Sequence, residues 1–473
     1  MRLFRSFNKF KNNIAIIDKE HSDLSYKEVL TKTNEIKKKI KKRSLILIVS
    51  ENSLGSLLAY IFCIINNHVG IIINSKTTTN NILKTFKNYQ PNYIFLSKKI
   101  KSIFKKICSE EYNFLDQSLM KNRINKKKKL HKNLSLLLST SGSMGVIKFA
   151  KLSGSNLKHN ADSIIRYLNI NNKDSTITNL PISYSYMLSV INTHLEVGAS
   201  IIISKYSLIE KEFWKVFKNS KATSFNGVPY TYEILTRIGL KNIKINSLKY
   251  LTHAGGKLEK NKLKEIIKFC KRNNIKFFSM YGQTEASPRI SYLKPELSEK
   301  KIGSIGKGIP GNKIYIIDNT GKKILKPFEE GEIICEGKNV FMGYSKNYSD
   351  LKRPNEINYK LKTGDLGFLD KDGFLYITSR VDKIAKIFGN RVDLGVLESL
   401  MSQKGYKIVC ISDNKKIFIF IEKKYNKTNL INTISKITNL NNNSFEIIKL
   451  KYLPRTSNNK ISYNELKKIN ARL

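Results

Sequence analysis

The sequence has few cysteines, the residues that form disulfide frameworks and zinc sites. Its five cysteines, at positions 63, 108, 270, 335 and 410, are scattered, odd in number and free of any CxxC pair. This pattern argues against a disulfide framework and a zinc site, and it fits a reducing cytoplasm. Long apolar runs are also missing, because the most apolar helical stretch, Leu57–Ile65, falls well short of the roughly 20 residues that a membrane span needs. We therefore expect a cytoplasmic protein with no membrane span, and we expect Leu57–Ile65 to form a buried core helix.

Acidic residues are scarce as well. The sequence has 37 Asp and Glu against 85 Lys and Arg, which gives a formal net charge of +48. Such an excess can indicate nucleic-acid binding, but these basic residues are mostly lysines, spread along the whole chain among many asparagines and isoleucines, as an AT-rich coding sequence would produce. We predict no nucleic-acid partner. Nucleic-acid binding stays an alternative that would require the basic residues to cluster on one face.

Apolar segments are short and alternate with helical stretches. The chain of 473 residues, 41% of them hydrophobic, is long enough for two or more globular domains. Alternating strands and helices predict a parallel α/β architecture. The predicted strands are Ser44–Ser50, Val69–Asn74, Tyr93–Ser97, Ser200–Ser204 and Ile275–Ser279. The predicted helices are Leu54–Ile65, Ser155–Leu168, Glu210–Phe217, Thr231–Ile238 and Lys260–Arg272.

The sequence changes in character from about Gly303. Short strands separated by Gly and Asp turns predict a small β-rich subdomain, and the segment after Asp382 predicts a small α+β domain. The short strands are predicted at Lys313–Ile317, Gly331–Glu336 and Gly373–Thr378. We therefore predict a large amino-terminal domain over residues 1–381, made of parallel α/β subdomains and the β-rich subdomain, and a carboxy-terminal domain over residues 382–473.

The segment LSLLLSTSGSMGVIK, residues 134–148, contains a candidate phosphate-binding loop. An apolar strand ends in residues that supply flexible backbone, hydroxyl donors and one cation, which together suit a polyphosphate. The loop is not a Walker loop, because GxxxxGK[ST] is absent. The candidate nucleotide-binding residues are Thr140, Ser141, Gly142, Ser143, Gly145 and Lys148.

This loop resembles the signature TSGTTGxPK of the acyl-adenylate-forming superfamily, which includes acyl-CoA synthetases, firefly luciferase and the adenylation domains of peptide synthetases. Met144 replaces a hydroxyl residue and Ile147 replaces the proline, so one possible phosphate donor is missing. The resemblance covers nearly the whole chain. It implies that ATP and Mg²⁺ activate a carboxylic acid as an acyl-AMP, and that the acyl group then passes to a thiol.

Two further segments match the family in the expected order. LPISYSY, residues 180–186, resembles the acyl-pocket segment, and THAGGKL contains the glycine pair that the family places against adenine and substrate. The resemblance implies that the substrate pocket includes Tyr184, Ser185, Tyr186, Asn226 and Gly227. It also implies that Gly255 and Gly256 contribute to nucleotide binding.

The segment YGQTE matches the family motif YGxTE in full. By resemblance, Tyr281 would stack on adenine, and Thr284 would hydrogen-bond a phosphate. Glu285 would hold Mg²⁺, a hard cation that prefers carboxylate oxygen. Gly282 and Gln283 complete this nucleotide-binding segment.

Three motifs near the carboxyl end complete the resemblance. In TGD, Asp365 would accept hydrogen bonds from both ribose hydroxyls. In SRVD, Arg380 would reach the ribose or the α-phosphate, and Asp382 falls where the family has the hinge of its mobile carboxy-terminal domain. LPRTSNNK resembles LPxTPxGK, so Lys460 would be the catalytic lysine that bridges the attacking carboxylate and the α-phosphate.

The acid and the acceptor are less closely defined. Ser185 falls where amino-acid-activating relatives have an Asp that holds the substrate ammonium, and a buried ammonium without a carboxylate is costly. We therefore expect a fatty, aromatic or other carboxylic acid. The expected acceptor is CoA or the phosphopantetheine arm of a carrier protein. Two alternatives stay open: an amino-acid-adenylating enzyme that loads a carrier protein, and a catalytically silent acyl or nucleotide binder.

Overall fold

The computed structural model describes the chain except for residues 1–2, 125–128, 141–147, 241–245, 388–389, 414, 457–460 and 473. The described residues form two compact units. The first unit contains the residues up to 313 together with 335–361, and the second contains 314–334 and those from 362 onward. Among the described helices, none is long and apolar enough to cross a membrane.

The described helices and strands alternate along most of the chain. The helices are α1 (Tyr26–Lys39), α2 (Leu54–Ile65), α3 (Thr79–Tyr89), α4 (Gly154–Leu168), α5 (Ser185–Glu196), α6 (Lys211–Asn219), α7 (Pro229–Ile238), α8 (Lys260–Arg272), α9 (Leu394–Gln403), α10 (Lys427–Thr438) and α11 (Tyr463–Asn470). The strands are β1 (Ile14–Ile17), β2 (Leu24–Ser25), β3 (Leu45–Ser50), β4 (Val69–Asn74), β5 (Tyr93–Ser97), β6 (Cys108–Phe114), β7 (Gln117–Asn122), β8 (Leu134–Ser139), β9 (Phe149–Ser153), β10 (Ser175–Ile177), β11 (Ser200–Ile202), β12 (Ser224–Gly227), β13 (Tyr250–His253), β14 (Lys276–Gly282), β15 (Arg289–Tyr292), β16 (Lys307–Gly308), β17 (Lys313–Ile317), β18 (Lys323–Ile324), β19 (Gly331–Glu336), β20 (Tyr344–Ser345), β21 (Lys360–Leu369), β22 (Leu375–Arg380), β23 (Ile384–Ile387), β24 (Asn390–Asp393), β25 (Ile408–Ser412), β26 (Ile417–Ile421) and β27 (Phe445–Lys449).

One sheet of the first unit has the strand order β20-β9-β8-β4-β3-β5-β7-β6. Its centre is parallel, with β3 between β4 and β5 and with β8 beside β4. The strands LILIVS and VGIIIN are almost wholly buried, as expected for parallel strands covered on both faces. Helix α2 is buried from Leu54 to Ile64, which confirms the predicted core helix.

The second sheet of this unit has the order β16-β15-β14-β13-β12-β10-β11-β1-β2. Strands β12, β13 and β14 run parallel, with Gly227 opposite His253 and His253 opposite Ser279. Their carboxyl ends therefore meet at one edge, which is where open α/β sheets bind ligands. Three candidate segments lie at this edge. Asn226 and Gly227 end β12, Gly255 and Gly256 follow β13, and Tyr281 and Gly282 end β14.

The second unit contains a five-stranded sheet of order β18-β17-β19-β21-β22 and a three-stranded sheet of order β25-β26-β27. Helices α9 and α10 contribute Leu397 and Leu430 to the core beside the three-stranded sheet. The α/β class with a β-rich part and a small α+β part is confirmed. Residues 314–334 and 362–381 group with the carboxy-terminal residues, whereas the boundary at residue 382 stays a prediction.

Candidate functional site

The YGQTE segment leaves the sheet at the end of β14 and turns back into β15. The Gln283 N–H donates to the Pro288 carbonyl at 2.9 Å, which closes the loop. A Cβ on Gly282 would lie 2.0 Å from the Pro288 oxygen, so this position requires glycine. Buried Asn339 donates through Nδ2 to the carbonyls of Ala286 and Arg289, at 2.8 Å each. The loop is thereby fixed at both ends.

Glu285 is the buried carboxylate of this loop. Only 8% of it is exposed, and its Oε1 accepts a 2.8 Å hydrogen bond from the Tyr344 hydroxyl. The Nζ of Lys148 lies 5.9 Å from the centroid of the Tyr344 ring, within the range of a cation–π contact. Tyr344 therefore connects the lysine that closes the phosphate loop with the predicted metal-binding carboxylate.

Sequence reasoning missed Tyr344. The residue lies on the two-residue strand β20, where it pairs with Ala150 of β9. It follows Gly343, whose φ of +109° is a conformation that L side chains rarely adopt. The available signal was an aromatic residue directly after a glycine in VFMGYS, which is weak in a chain with 23 tyrosines.

The donor set suits Mg²⁺ held together with a nucleotide. Mg²⁺ is commonly bound by one or two carboxylates plus substrate phosphates. In the part of the chain that the structure describes, no group of three His, Cys, Asp or Glu side chains could hold a metal alone. The anchored Glu285 carboxylate is a fitting single ligand, and its metal-binding role stays a prediction.

The acyl-pocket segment contacts the YGQTE loop directly. Ser185, the first residue of α5, has its Oγ 3.1 Å from Oγ1 of Thr284. Gly255 has a φ of +86°, and a Cβ there would lie 2.6 Å from the Tyr184 hydroxyl. A Cβ on Gly256 would lie 3.0 Å from Cγ of Pro229. The structure thus brings together three segments that are far apart in the sequence.

Tyr281 is 7% exposed, and its hydroxyl accepts a 3.3 Å hydrogen bond from Nε2 of Gln283. Tyr281 lies near the end of β14, three residues before Thr284. Its predicted stacking on adenine stays a prediction.

A chain of buried hydrogen bonds runs behind the pocket segment. The Tyr186 hydroxyl lies 2.7 Å from Oγ1 of Thr252, which donates to Oδ1 of Asn226 at 2.9 Å. Asn226 in turn donates to Oγ1 of Thr176 at 3.0 Å. A Cβ on Gly227 would lie 2.3 Å from the Tyr232 ring. Asn226 and Gly227 thus have packing roles here, and a role as pocket walls stays a prediction.

Two buried basic side chains near Tyr186 were also missed. The Cζ of Arg289 lies 4.7 Å from the Tyr186 ring centroid, and Arg289 is 2% exposed. Burial, together with the charge of Arg289, lowers the pKa of His253 to about 4, so this imidazole is neutral at pH 7. Arg289 lies four residues after Glu285, but one arginine among 85 basic residues gave no sequence signal.

In the second unit, the structure brings Asp365, Arg380 and Asp382 together. The paired strands β21 and β22 place Asp365 opposite Arg380. The Nε of Arg380 lies 3.4 Å from Oδ1 of Asp365 and 3.2 Å from Oδ1 of Asp382. The Asp365 N–H donates to Oγ1 of Thr363 at 3.1 Å, which fixes the turn that carries this carboxylate.

The remaining predicted residues belong to two segments. Thr140 closes the base of the phosphate loop, since its N–H and its hydroxyl both donate to the Lys148 carbonyl, at 3.0 and 3.4 Å. The other residues of these segments lie outside the described part of the chain, and their roles stay predictions. They are Ser141, Gly142, Ser143, Gly145 and Lys460.

The arrangement is matched by known proteins. A family model for AMP-binding enzymes matches residues 3–345. The chain belongs to the AMP-binding enzyme family. The predicted acyl-adenylate-forming resemblance is therefore confirmed.

Similar proteins include the 2-succinylbenzoate–CoA ligase of Oceanobacillus iheyensis, 25% identical over 82% of this chain and 80% of that protein. The ligase of the same name from Bacillus licheniformis is 30% identical over 52% of this chain and 49% of that protein, about half its length. Among solved structures, o-succinylbenzoate CoA synthetase from Bacillus subtilis with its acyl-adenylate matches with a TM-score of 0.79. Its identity is 22%, over 99% of this chain and 98% of that one. ATP-bound MatB from Rhodopseudomonas palustris matches with a TM-score of 0.80 and 18% identity, over 99% of each chain.

This AMP-binding family member is an AMP-forming ligase that activates a carboxylic acid with ATP and transfers the acyl group to a thiol. The predicted enzyme class is confirmed. A solved structure of the Bacillus subtilis synthetase, 21% identical, contains ATP and a magnesium ion. A small-molecule acid is its substrate.

Proposed function

We propose that this chain joins a carboxylic acid that lacks an α-amino group to CoA. The observation that carries the proposal is the charge beside the pocket segment: the ionisable side chain packed on the Tyr186 ring is the Arg289 guanidinium. A substrate ammonium needs a nearby carboxylate and would be repelled by this cation. Ser185, in the position where amino-acid-activating relatives have an Asp, is engaged with Thr284.

CoA is the proposed acceptor. The two curated relatives described above are named as CoA ligases, and the solved Bacillus subtilis relative is named as a CoA synthetase. These names support CoA over the phosphopantetheine arm of a carrier protein. The large positive net charge of +48 also suits a polyphosphate ligand such as CoA.

The proposed chemistry depends on positioning and on charge stabilisation. The substrate carboxylate attacks the α-phosphorus of ATP in line, and pyrophosphate leaves. Thr284 donates to a phosphate, Asp365 holds the ribose, and Lys460 stabilises the charge that develops between the carboxylate and the α-phosphate. A Mg²⁺ ion held by Glu285 would neutralise phosphate charge. The thiol then attacks the acyl carbonyl, and AMP leaves.

ATP–pyrophosphate exchange with a panel of acids tests the first half of this proposal. The panel contains 2-succinylbenzoate, benzoate, malonate, a medium-chain fatty acid and the twenty amino acids. We expect exchange with at least one acid that lacks an amino group. Exchange with amino acids alone would support the amino-acid-adenylating alternative, and no exchange with any acid would support a silent binder.

The acceptor is tested separately with the acid that gives exchange. CoA and a phosphopantetheine-loaded carrier protein are supplied in parallel, and the thioester is measured by mass spectrometry. We expect acyl-CoA. Acylation of the carrier alone would contradict the proposal for the second half-reaction while leaving the first intact.

We also propose a cytoplasmic location. All five cysteines are free, buried thiols, as is usual in a reducing compartment. Fractionation of cells that produce the protein at native level tests this, and recovery outside the cytoplasm would contradict it.

A further inference from the structure

The acyl-pocket segment follows the carboxyl end of β10, which lies beside β12 in the second sheet and runs parallel to it. Strand β10 ends at Ile177, and the chain then runs outside the sheet to Ser185, where α5 begins. Backbone groups that leave a sheet need other partners, because an unpaired buried amide or carbonyl costs about as much as a lost hydrogen bond. The position of this stretch therefore depends on the groups to which its backbone is bonded.

Asn52 supplies three of these partners. Its Nδ2 donates to the carbonyls of Thr178 and Leu180, at 2.8 and 3.1 Å, and its Oδ1 accepts from the Ile182 N–H at 3.0 Å. The three bonded residues are alternate residues, as they would be along a strand, so one side chain replaces a neighbouring strand. A primary amide offers two donors and an acceptor on one short group, whereas a carboxylate only accepts. Asparagine thus has the groups that this stretch requires.

Asn52 is itself held by the sheet that contains β3. It lies between Ser50, the last residue of β3, and the start of α2. Ser53 caps α2 and donates through Oγ to Oδ2 of Asp116 at 2.6 Å, and the Gly55 N–H donates to Oδ1 of Asp116 at 2.9 Å. The amide therefore projects from a connection that is fixed on both sides.

The stretch held by this amide leads directly into the candidate site. The Tyr184 N–H donates to the Pro181 carbonyl at 2.9 Å, which turns the chain toward α5. The next residue, Ser185, has its Oγ 3.1 Å from Oγ1 of Thr284 in the YGQTE loop. A displacement of the backbone before this turn would therefore move Tyr184 and Ser185 as well.

We propose that Asn52 is a positioning residue for acid activation. It acts through the backbone of the stretch from Thr178 to Ile182, and it holds the acyl-pocket segment in the place where the acid binds. The proposal rests on the acid activation described above and adds a residue from the other sheet of the same unit. Asn52 has no part in the chemical step itself.

Kinetics with an acid that supports ATP–pyrophosphate exchange test the proposal. We expect Asn52→Ala to lower kcat/KM for that acid by on the order of 100-fold, because a misplacement of about 1 Å can cost that much even when the change is far from the chemistry. KM for ATP should stay within about 2-fold of the wild-type value, since the three bonds of Asn52 go to the stretch that leads into the acyl pocket. A loss of folding stability alone would not separate the two substrates in this way.

A second variant and a matched control accompany this measurement. Asn52→Asp keeps the size of the side chain and can still accept from the Ile182 N–H, but it lacks both donors, so it should show the same selective loss. Asn122, the control position, is a buried amide at the end of β7 that donates to the Pro91 carbonyl and accepts from the Ile124 N–H, at 3.0 Å each. Asn122→Ala should lower the melting temperature, as Asn52→Ala does, but should keep kcat/KM for the acid.

An unchanged kcat/KM for the acid in Asn52→Ala would overturn the proposal, and so would an equal fall in kcat/KM for the acid and for ATP. An equal fall in Asn122→Ala, or failure of both Asn52 variants to fold while Asn122→Ala folds, would show a purely structural role and would also overturn it. These results leave the proposed acid activation standing, since the wild-type protein still catalyses exchange. Absence of exchange by the wild-type protein with every acid would instead contradict the proposed function itself, and this inference with it.

Discussion

The Tyr344 hydroxyl donates a 2.8 Å hydrogen bond to Oε1 of Glu285, although the two residues are 59 positions apart in the sequence. The bond holds one carboxylate oxygen in a fixed orientation. Backbone contact supports the same geometry, because the Phe341 N–H donates to the Glu285 carbonyl at 2.8 Å. The predicted metal ligand is thus fixed through both its side chain and its main chain.

Tyr344→Phe should slow adenylation roughly 10-fold, because a hydrogen bond to a charged group contributes about 1.5 kcal/mol or more. The Mg²⁺ concentration for half-maximal rate should rise, since the carboxylate is no longer oriented. ATP–pyrophosphate exchange over a Mg²⁺ series measures both effects. Tyr452→Phe, at a residue that is 74% exposed, is the control. An unchanged Mg²⁺ dependence would contradict this role of Tyr344.

Gly255→Ala should strongly impair activity. Its φ of +86° disfavours any Cβ, and the added methyl would lie 2.6 Å from the Tyr184 hydroxyl. Gly405→Ala is a matched control, because Gly405 has the same φ of +86° and nothing within 4 Å of a built Cβ. Both variants should lose about 1 kcal/mol of folding stability from backbone strain. If both variants lose activity equally, the contact with Tyr184 is not what matters.

Asp365→Ala should remove recognition of the ribose hydroxyls. The wild-type protein should use ATP better than 2′-deoxy-ATP, and the variant should use the two about equally. Asp382→Asn, which leaves Asp365 in place beside Arg380, should keep the preference for ATP. Pyrophosphate release with each nucleotide is the measurement. If the Asp365→Ala variant still preferred ATP over 2′-deoxy-ATP, Asp365 would not be the residue that binds the ribose hydroxyls.

Lys460→Ala should slow adenylation by roughly 10²–10³-fold, the usual cost of removing one charge-stabilising donor. Thioester formation from supplied acyl-AMP should persist, because this step needs no charge neutralisation at the attacking carboxylate. The two half-reactions are assayed separately, with Lys451→Ala as the control. Equal loss in both half-reactions would show that the assigned role is wrong.

The protein should lose stability in mild acid through His68. Its Nδ1 accepts a 3.1 Å hydrogen bond from the Ser44 N–H, and burial, aided by Arg43, lowers its pKa to about 4. Between the unfolded pKa of about 6.5 and this value, the unfolded chain binds a proton that the folded chain does not. Stability therefore falls with decreasing pH, by about 1.4 kcal/mol per pH unit from this residue.

His68→Asn tests this contribution, because the amide oxygen can still accept the Ser44 hydrogen bond without titrating. Urea unfolding at several values between pH 7.5 and pH 4.5 should give a shallower pH dependence for the variant. His21→Asn, at an exposed position, is the control. If the His68→Asn variant had the same pH dependence of stability as the wild-type protein, His68 would not be the cause of that dependence.

The core of the fold was predictable because its strands and helices are local patterns. Val69–Asn74, Leu54–Ile65 and Lys260–Arg272 have the predicted bounds, since apolar runs ended by polar or turn residues define them. Strand β11 is shorter than predicted and ends at Ile202. Ile203 and Ser204 are buried although they lie beyond the end of the strand, so an apolar, buried pattern alone does not locate the end of β11.

Motif matching located Thr284, Glu285 and the glycine pair, but it could not find their partners. Tyr344 and Arg289 acquire their positions from strand pairing with β9 and β14. Such pairings join residues that are distant in the sequence and depend on tertiary contacts rather than on local pattern. The chain is rich in tyrosine and in basic residues, and the sequence around Tyr344 and Arg289 does not distinguish them from the other residues of their kind.

The hairpin of β14 and β15 has one further consequence. Within nine residues it carries Tyr281 and Glu285, the predicted nucleotide and metal contacts, and Arg289, which packs on Tyr186 of the predicted acyl-pocket segment. Asn339 binds the carbonyls of Ala286 and Arg289 together. A shift of this hairpin would alter both groups of contacts at once. The affinities for ATP and for the acid should therefore be thermodynamically linked, so that each ligand tightens the binding of the other by the same factor.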